Sequence, residues 1–252
     1  MTRVLAIANQ KGGVAKTTTT HTLGVALARL GRRVLLVDLD AQACLSFSCG
    51  LDPDALSLSI ADILLDRHKL CDVVTQINEV HLVPATIELA RAELELRSQR
   101  DPDFALRDAL RVSAGDYDDV LLDCAPSLGI LTMNALSAAD EVLIPVQCEA
   151  LAHRGVAQLL DTVDEVRKFT NPALVVRGVV ATMFDARVRH SRQVLDDIPR
   201  RFGVAVLDPP VPKSVRFAEA PLGGRTILDH APGSPGARAY ELLAARLIST
   251  RP

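Results

Sequence analysis

The stretch NQKGGVAKTTTTH, residues 9–21, decides how the rest of the chain is read. A phosphate-binding loop of the form G-x-x-x-x-G-K-[ST] places glycines six positions and one position before its lysine. Counted back from Lys16 and Thr17, those positions hold Gln10 and Ala15, while Lys11, Gly12 and Gly13 stand between them. The glycines have moved and a second lysine has been added. Five fixed positions in K-G-G-x-x-K-T, each at the usual residue frequencies, match by chance on the order of 10⁻⁶ per start point. The stretch reads as a nucleotide site of a different spelling.

Its neighbours support that reading. The apolar run VLAIAN (residues 4–9) stops at the loop, and TTTTHTLGVALARLG (residues 17–31) then carries apolar residues at helical spacing and ends on glycine. A strand–loop–helix aims the loop's N–H groups and the positive end of the helix at an anion. Residues Lys11 to Thr18 (Lys11, Gly12, Gly13, Val14, Ala15, Lys16, Thr17 and Thr18) are the candidate phosphate cradle. Within it Lys16 reaches the β- and γ-phosphates and Thr17 coordinates Mg²⁺ through its hydroxyl. Ala15 is tolerable at a negative φ and strained at a positive one.

Outward from the loop, strand-like and helix-like segments alternate. RVLLVDLD (33–40), VHLVP (80–84), DVLLD (119–123), EVLIPV (141–146) and ALVVRGVVAT (173–182) read as buried strands. Helices are expected over residues 57–65, 87–98, 104–113, 128–138 and 153–169, with residues 41–57 irregular and a closing helix in the tail. Near-continuous apolar strands alternating with helices predict an α/β fold, a doubly wound and mostly parallel sheet with helices on both faces. No repeat or linker divides residues 1–252, so a single P-loop domain is expected.

Composition narrows the class. Net charge is −3, so the chain is not globally basic. No apolar run approaches the length of a membrane span, and the N-terminus enters a strand directly, which makes a cytoplasmic location the expectation. The five cysteines are odd in number and form no C-x-x-C pair, which favours reduced thiols over a disulfide framework or zinc site. Arginines number 23 and lysines five, yet two of those lysines fall in one loop. A compact ammonium suits a tight phosphate pocket.

KGGVAKTT resembles the deviant Walker A motif of the ParA/MinD family of P-loop ATPases, and the whole chain looks like a ParA/Soj-type partitioning ATPase. In that family ATP and Mg²⁺ hold two subunits face to face. The resemblance makes Lys11 the signature lysine that crosses to the partner's phosphates, a second cation where charge develops during transfer. VLLVDLD ends with Asp38 and Asp40 on one side of an extended chain. By resemblance Asp40 positions the attacking water and Asp38 is its companion near the metal, so the catalytic set is Lys11, Lys16 and Asp40. DDVLLDCAPSLG (118–129) has the Walker B form, with Asp123 holding Mg²⁺ beside Thr17 and Ala125 where the family has proline. PVQCEALAHRG (145–155) matches the family's P-x-x-x-E turn, leaving Glu149 either at the dimer face or capping the next helix. DPPVPKSVRFAEAP (208–221) is similar to the segment near the adenine and ribose, which makes Pro212 and Ser214 base-site candidates and places Lys213 where arginine is usual.

Residues 177–216 hold eight Lys/Arg against four acids, a local +4 that leaves −7 on the remainder. A basic face on an acidic protein is the footprint of salt-sensitive phosphate binding. The resemblance implies nonspecific double-stranded DNA as a partner of the ATP dimer, with Arg187, Arg189 and Arg216 as contacts, a nucleoid-associated location and a ParB-like stimulating protein. It also implies the small type that lacks an N-terminal helix-turn-helix. A MinD-like membrane-cycling ATPase is the alternative. It needs a basic amphipathic C-terminal helix, whereas ARAYELLAARLISTRP carries core-packing apolar spacing, so no membrane partner is expected.

Overall fold

The structure is a computed structural model that describes residues 2–149 and 151–249. Its centre is an eight-stranded sheet. The strands are β1 (Arg3–Ile7), β2 (Val34–Leu39), β3 (Thr75–Ile77), β4 (Val80–Val83), β5 (Asp119–Cys124), β6 (Glu141–Gln147), β7 (Val175–Thr182) and β8 (Val206–Leu207). Their spatial order is β3-β4-β2-β5-β1-β6-β7-β8, parallel throughout except for the β3–β4 edge pair. The doubly wound expectation holds. Strands buried on both faces have no polar face to present, which is why β2, β5 and β6 are apolar for most of their length.

Alternation along each strand sorts side chains into two cores. Ala6, Leu35, Val37 and Leu122 pack under the helices Ile130–Ala138 and Ala152–Phe169. Leu5, Ile7, Leu36 and Leu121 pack under α1 (Lys16–Arg29) and the helix Pro235–Ser249. The register pairs Asp38 of β2 with Asp123 of β5, and their parity turns both toward the α1 side. Gly24 lets α1 settle close: a Cβ there would lie 2.5 Å from Cδ2 of Leu36. Leu23 and Leu27 are fully buried in the same contact, each worth about 2–5 kcal/mol against truncation to alanine. This packing brings the first turn of α1 against the end of β5.

Several boundaries differ from the sequence reading. The helix expected from residue 57 starts at Ile60, because Ser59 caps it: Ser59 accepts the Ala61 N–H and Asp62 accepts the Ser59 N–H at 2.9 Å. The segment expected to be irregular contains a short helix, Cys44–Ser48. Within the basic stretch a further helix runs over Arg189–Phe202, with Ser191, Val194 and Ile198 buried and its arginines outward. All five thiols are free.

Candidate functional site

The loop between β1 and α1 is clamped before any ligand is considered. Asn9 donates through Nδ2 to the Pro145 carbonyl at the end of β6 (2.8 Å) and accepts the Lys11 N–H at 2.9 Å. Thr182, the last residue of β7, donates to the Val14 carbonyl at 2.9 Å. Two positive φ values, 73° at Gly13 and 66° at Ala15, fold the loop into a nest of inward N–H groups. Ala15 therefore occupies the strained alternative: a left-handed alanine costs about 1–2 kcal/mol relative to glycine. No side chain caps α1 and no acid stands in its first turn, so its leading N–H groups are left for an anion.

Lys16 opens that turn with 7% of its surface exposed, and its Nζ donates to the Lys11 carbonyl at 3.3 Å. Burial lowers its pKa, opposed by the carboxylates of Asp123 and Asp40 and by Cys124. A buried ammonium bonded to one weak carbonyl is unsaturated in donors, and a phosphate oxygen would satisfy it.

The two register-paired aspartates are fully buried, and burial raises both pKa values. Their partners differ. Asp38 accepts from the Asp40 N–H at 3.2 Å on Oδ1, and from the N–H and hydroxyl of Ser46 at 2.9 and 2.8 Å on Oδ2. Ser46 in turn accepts the Ala85 N–H at 2.9 Å. Asp38 thus ties the Cys44–Ser48 helix to the sheet, and both its oxygens are engaged. Asp123 has the Thr20 hydroxyl 3.1 Å from Oδ1 and the Thr17 hydroxyl nearby favouring its charged form, while the charge of Asp38 adds to its raised pKa. Its Oδ2 is buried with no partner among the described residues.

Asp40 follows on the rim, partly exposed, with Oδ1 accepting the Gln42 N–H at 3.0 Å. Gly12, Gly13, Ala15, Lys16, Thr17, Thr18 and Asp40 line one end of a cavity of about 750 Å³, and Pro212 and Ser214 line the other. That volume lies within the range of small-ligand sites. Sequence reasoning missed Met183, Val211, Val215 and Phe217, which join Pro212 and Ser214 at the far end. In the turn after β5 that carries Ala125, Pro126 lines the cavity beside Gly12, and Thr132 donates to the Ser127 carbonyl at 2.7 Å.

Glu149 does not cap the helix that follows it, which has no side-chain cap. Its carboxylate instead accepts from Lys11 Nζ at 2.8 Å. The arginines expected at a DNA face are all exposed. Arg187 is forked onto Asp185, with contacts at 2.8 and 3.0 Å that hold the Asp185 carboxyl down to about 2. Arg189 and Arg216 make no ion pair among the described residues. A cleft of about 740 Å³ gathers Arg187, Lys213 and Arg238. Arg238 lies outside the basic window of the sequence and only the fold brings it there.

Chemically, the arrangement offers an anion nest, an under-satisfied ammonium, and a buried carboxylate with one free oxygen beside a threonine hydroxyl. The carboxylate and the hydroxyl are hard oxygen donors for a cation that keeps its own waters and phosphate ligands, as Mg²⁺ does. The residues fit the group.

Comparison with known proteins identifies the family. A family model described as an AAA domain matches residues 2–176. The chain is 43% identical over 251 residues to the sporulation initiation inhibitor protein Soj of Bacillus subtilis, covering 99% of each chain. It is 46% identical to the chromosome-partitioning ATPase Soj of Thermus thermophilus, covering 98% of this chain and 96% of that one. The crystal structure of cobyrinic acid a,c-diamide synthase from Mycobacterium smegmatis, with bound ATP analog and magnesium, superposes with a TM-score of 0.89 at 46% identity. The match covers 98% of this chain and 95% of that one. A P-loop spelled with two lysines, on a parallel sheet and matched to Soj over nearly its whole length, places the chain in the ParA/Soj family of partitioning ATPases.

Proposed function

We propose that the chain is a Mg²⁺-dependent ATP hydrolase that closes face to face with a second copy around two ATP molecules, binds duplex DNA without sequence preference in that state, and resets on hydrolysis. The observation that carries this reading is the convergence of Lys16, Thr17 and Asp40 on one cavity, with Asp123, whose Oδ2 is buried without a partner among the described residues, bonded behind them to the first turn of α1.

Thr17 and Asp123 would hold the ion, which when bound neutralises charge on the bridging and terminal phosphate oxygens. Asp38 stands behind them as an organiser, because its oxygens hold Ser46 and the Asp40 backbone. Lys16 and the loop N–H groups grip the β- and γ-phosphates in cis. Asp40, fixed by the strand end, positions a water in line with the γ-phosphorus. Orientation supplies most of the acceleration in phosphoryl transfer, so Asp40 need not be a strong base. Lys11 reaches the partner subunit's γ-phosphate, which makes hydrolysis conditional on pairing.

Duplex DNA would meet Arg187, Arg189 and Arg216, together with Lys213 and Arg238. Backbone contacts of this kind release counterions, and ten of them per dimer give a salt slope of about −9 in log K against log[salt]. A ParB-like basic partner and association with the nucleoid belong to the same proposal, which the similarity to chromosome-partitioning Soj supports. The helix Pro235–Ser249 spends its apolar face on the core through Tyr240, Leu243 and Leu247, which weighs against membrane cycling.

Co-sedimentation with duplex DNA or with anionic liposomes, each with and without ATP, tests the reading; ATP-dependent recovery on liposomes instead of DNA reverses it. Asp40→Ala is expected to keep ATP affinity, accumulate dimer in size-exclusion chromatography and lose about 100-fold in turnover. Unchanged turnover removes Asp40 from the mechanism.

A further inference from the structure

Lys11 and Glu149 lie 138 positions apart in the chain, yet Nζ of Lys11 sits 2.8 Å from Oε2 of Glu149. The other oxygen, Oε1, accepts from Gln147 Nε2 at 2.6 Å, so the carboxylate is fixed from both sides. The lysine is anchored as well: its N–H bonds Asn9, and Asn9 bonds the Pro145 carbonyl of the strand that leads to Glu149. Both halves of the ion pair therefore stand on one rigid frame, the adjacent ends of β1 and β6. The cavity wall runs through Gly12, Gly13 and Lys16 and leaves the Lys11 side chain outside.

An unrestrained lysine five residues before Lys16 has reach enough to fold back onto a phosphate held by its own loop. A cis contact would neutralise the terminal phosphate within one subunit and remove the advantage of pairing.

We infer that Glu149 is a positioning residue that holds Lys11 outside its own nucleotide cavity, so that the ammonium is released only to the phosphates of a second copy. This rests on Lys11 acting between subunits, as proposed above. Each closure then breaks two such pairs, one per subunit. With 32% of the Lys11 side chain and 53% of the Glu149 side chain exposed, each pair is solvent-screened and holds by a factor of about 1.5–5. Two together set a threshold of about 2–25-fold on dimerisation, low enough for ATP to overcome and steep enough to keep empty subunits apart. Screening makes the threshold fall as salt rises.

The test is Glu149→Gln in the full chain, with a nonhydrolysable ATP analogue and sedimentation equilibrium. The dimer dissociation constant is expected to fall by about 2–25-fold at low salt, with the gain shrinking at high salt. In a Lys11→Ala background the same substitution is expected to change nothing, since a positioning residue acts through the group it positions. Weaker pairing in Glu149→Gln overturns the inference, because it gives the carboxylate an intersubunit bond of its own. A gain that persists without Lys11 overturns it too. A second readout needs no dimer: acetylation of nucleotide-free protein by an N-hydroxysuccinimide ester, with the exposed Lys69 as internal reference. Lys11 is expected to react several-fold faster in Glu149→Gln, and an unchanged ratio overturns the inference. If the wild-type chain binds ATP and never pairs, the dimer reading fails while the acetylation ratio still judges the Lys11–Glu149 pair.

Discussion

The two ends of the proposed nucleotide cavity are held in different ways. At the phosphate end, the loop and the buried aspartates hang from the sheet or are bonded to it: Asn9 bonds β6, the Val14 carbonyl accepts from β7, Asp38 bonds Ser46 and Asp123 bonds α1. At the other end, the chain is tied by backbone bonds from Val211 to Ala181 (2.7 Å) and from Lys213 to Phe184 (3.2 Å), after which Ser214, Val215 and Arg216 are exposed, Val215 by 76%. Buried polar groups must find partners, and a fully satisfied network is rigid and specific. An exposed segment has water as an alternative partner and tolerates change. Two departures from the pattern that the resemblance implies, Lys213 for arginine and Ser214 for asparagine, fall in the exposed segment, and a third, Ala125, falls in the turn after β5 at the other end.

The sharpest way to break this comparison is to remove one group from each end. Lys16→Ala is expected to cost about 2–5 kcal/mol of ATP binding, roughly 30- to several-thousand-fold in Kd, because it withdraws the cation from a charge pair shielded from water. Ser214→Ala is expected to change Kd by less than about fivefold, as befits an exposed contact. Isothermal titration calorimetry reads both. Comparable losses at the two ends would erase the distinction drawn here.

A smaller effect sharpens it from the side of stability. Ser46 is the hinge between Asp38 and Ala85, and both it and the Ala85 N–H are buried. Ser46→Ala leaves that N–H without its acceptor and takes one donor from a buried carboxylate, so the nucleotide-free chain should lose about 1–3 kcal/mol. Urea unfolding measures this directly, and Ser214→Ala should stay within about 0.5 kcal/mol in the same assay. A Ser46→Ala midpoint indistinguishable from wild type would mean that Asp38 does not organise this segment.

The same division governs what could be read from the residues. β2, β5 and β6 were legible because strands covered on both faces are almost continuously apolar, and the loop was legible because its spacing is dictated by phosphate geometry. β3 and β8 were not: three and two residues, Thr75–Ile77 and Val206–Leu207, are too short for any period to register. The Cys44–Ser48 helix stayed hidden because a tertiary bond to Asp38 stabilises it, where propensity alone gives five residues little helix. The resemblance put Asp38 near the metal, but its register beside Asp123 and the bonding of its oxygens to Ser46 come only from the fold. The 138-residue gap between Lys11 and Glu149 lies beyond any spacing rule. Glu149 was visible as a motif position, and its partner was not.

Ala15 gives the smallest effect and the finest comparison, since it asks how much strain the phosphate end keeps. Its φ of 66° and ψ of 37° lie in the left-handed region, where the methyl group costs about 1–2 kcal/mol that glycine avoids. Ala15→Gly also loosens the unfolded chain, which opposes the gain by about 0.4–1 kcal/mol. The difference favours the folded state by about 0–1.6 kcal/mol, or a Tm rise of up to roughly 6 °C for a chain of this size. Differential scanning fluorimetry without nucleotide reads the sign. A rise shows that the loop stores strain which its clamps at Asn9 and Thr182 overcome. A fall shows that the methyl group contacts neighbours worth more than the strain, so that the alanine was selected by packing. Either way nucleotide affinity should move little, because the loop N–H groups point inward whichever residue occupies position 15, and a glycine there already satisfies the backbone angles that the nest demands.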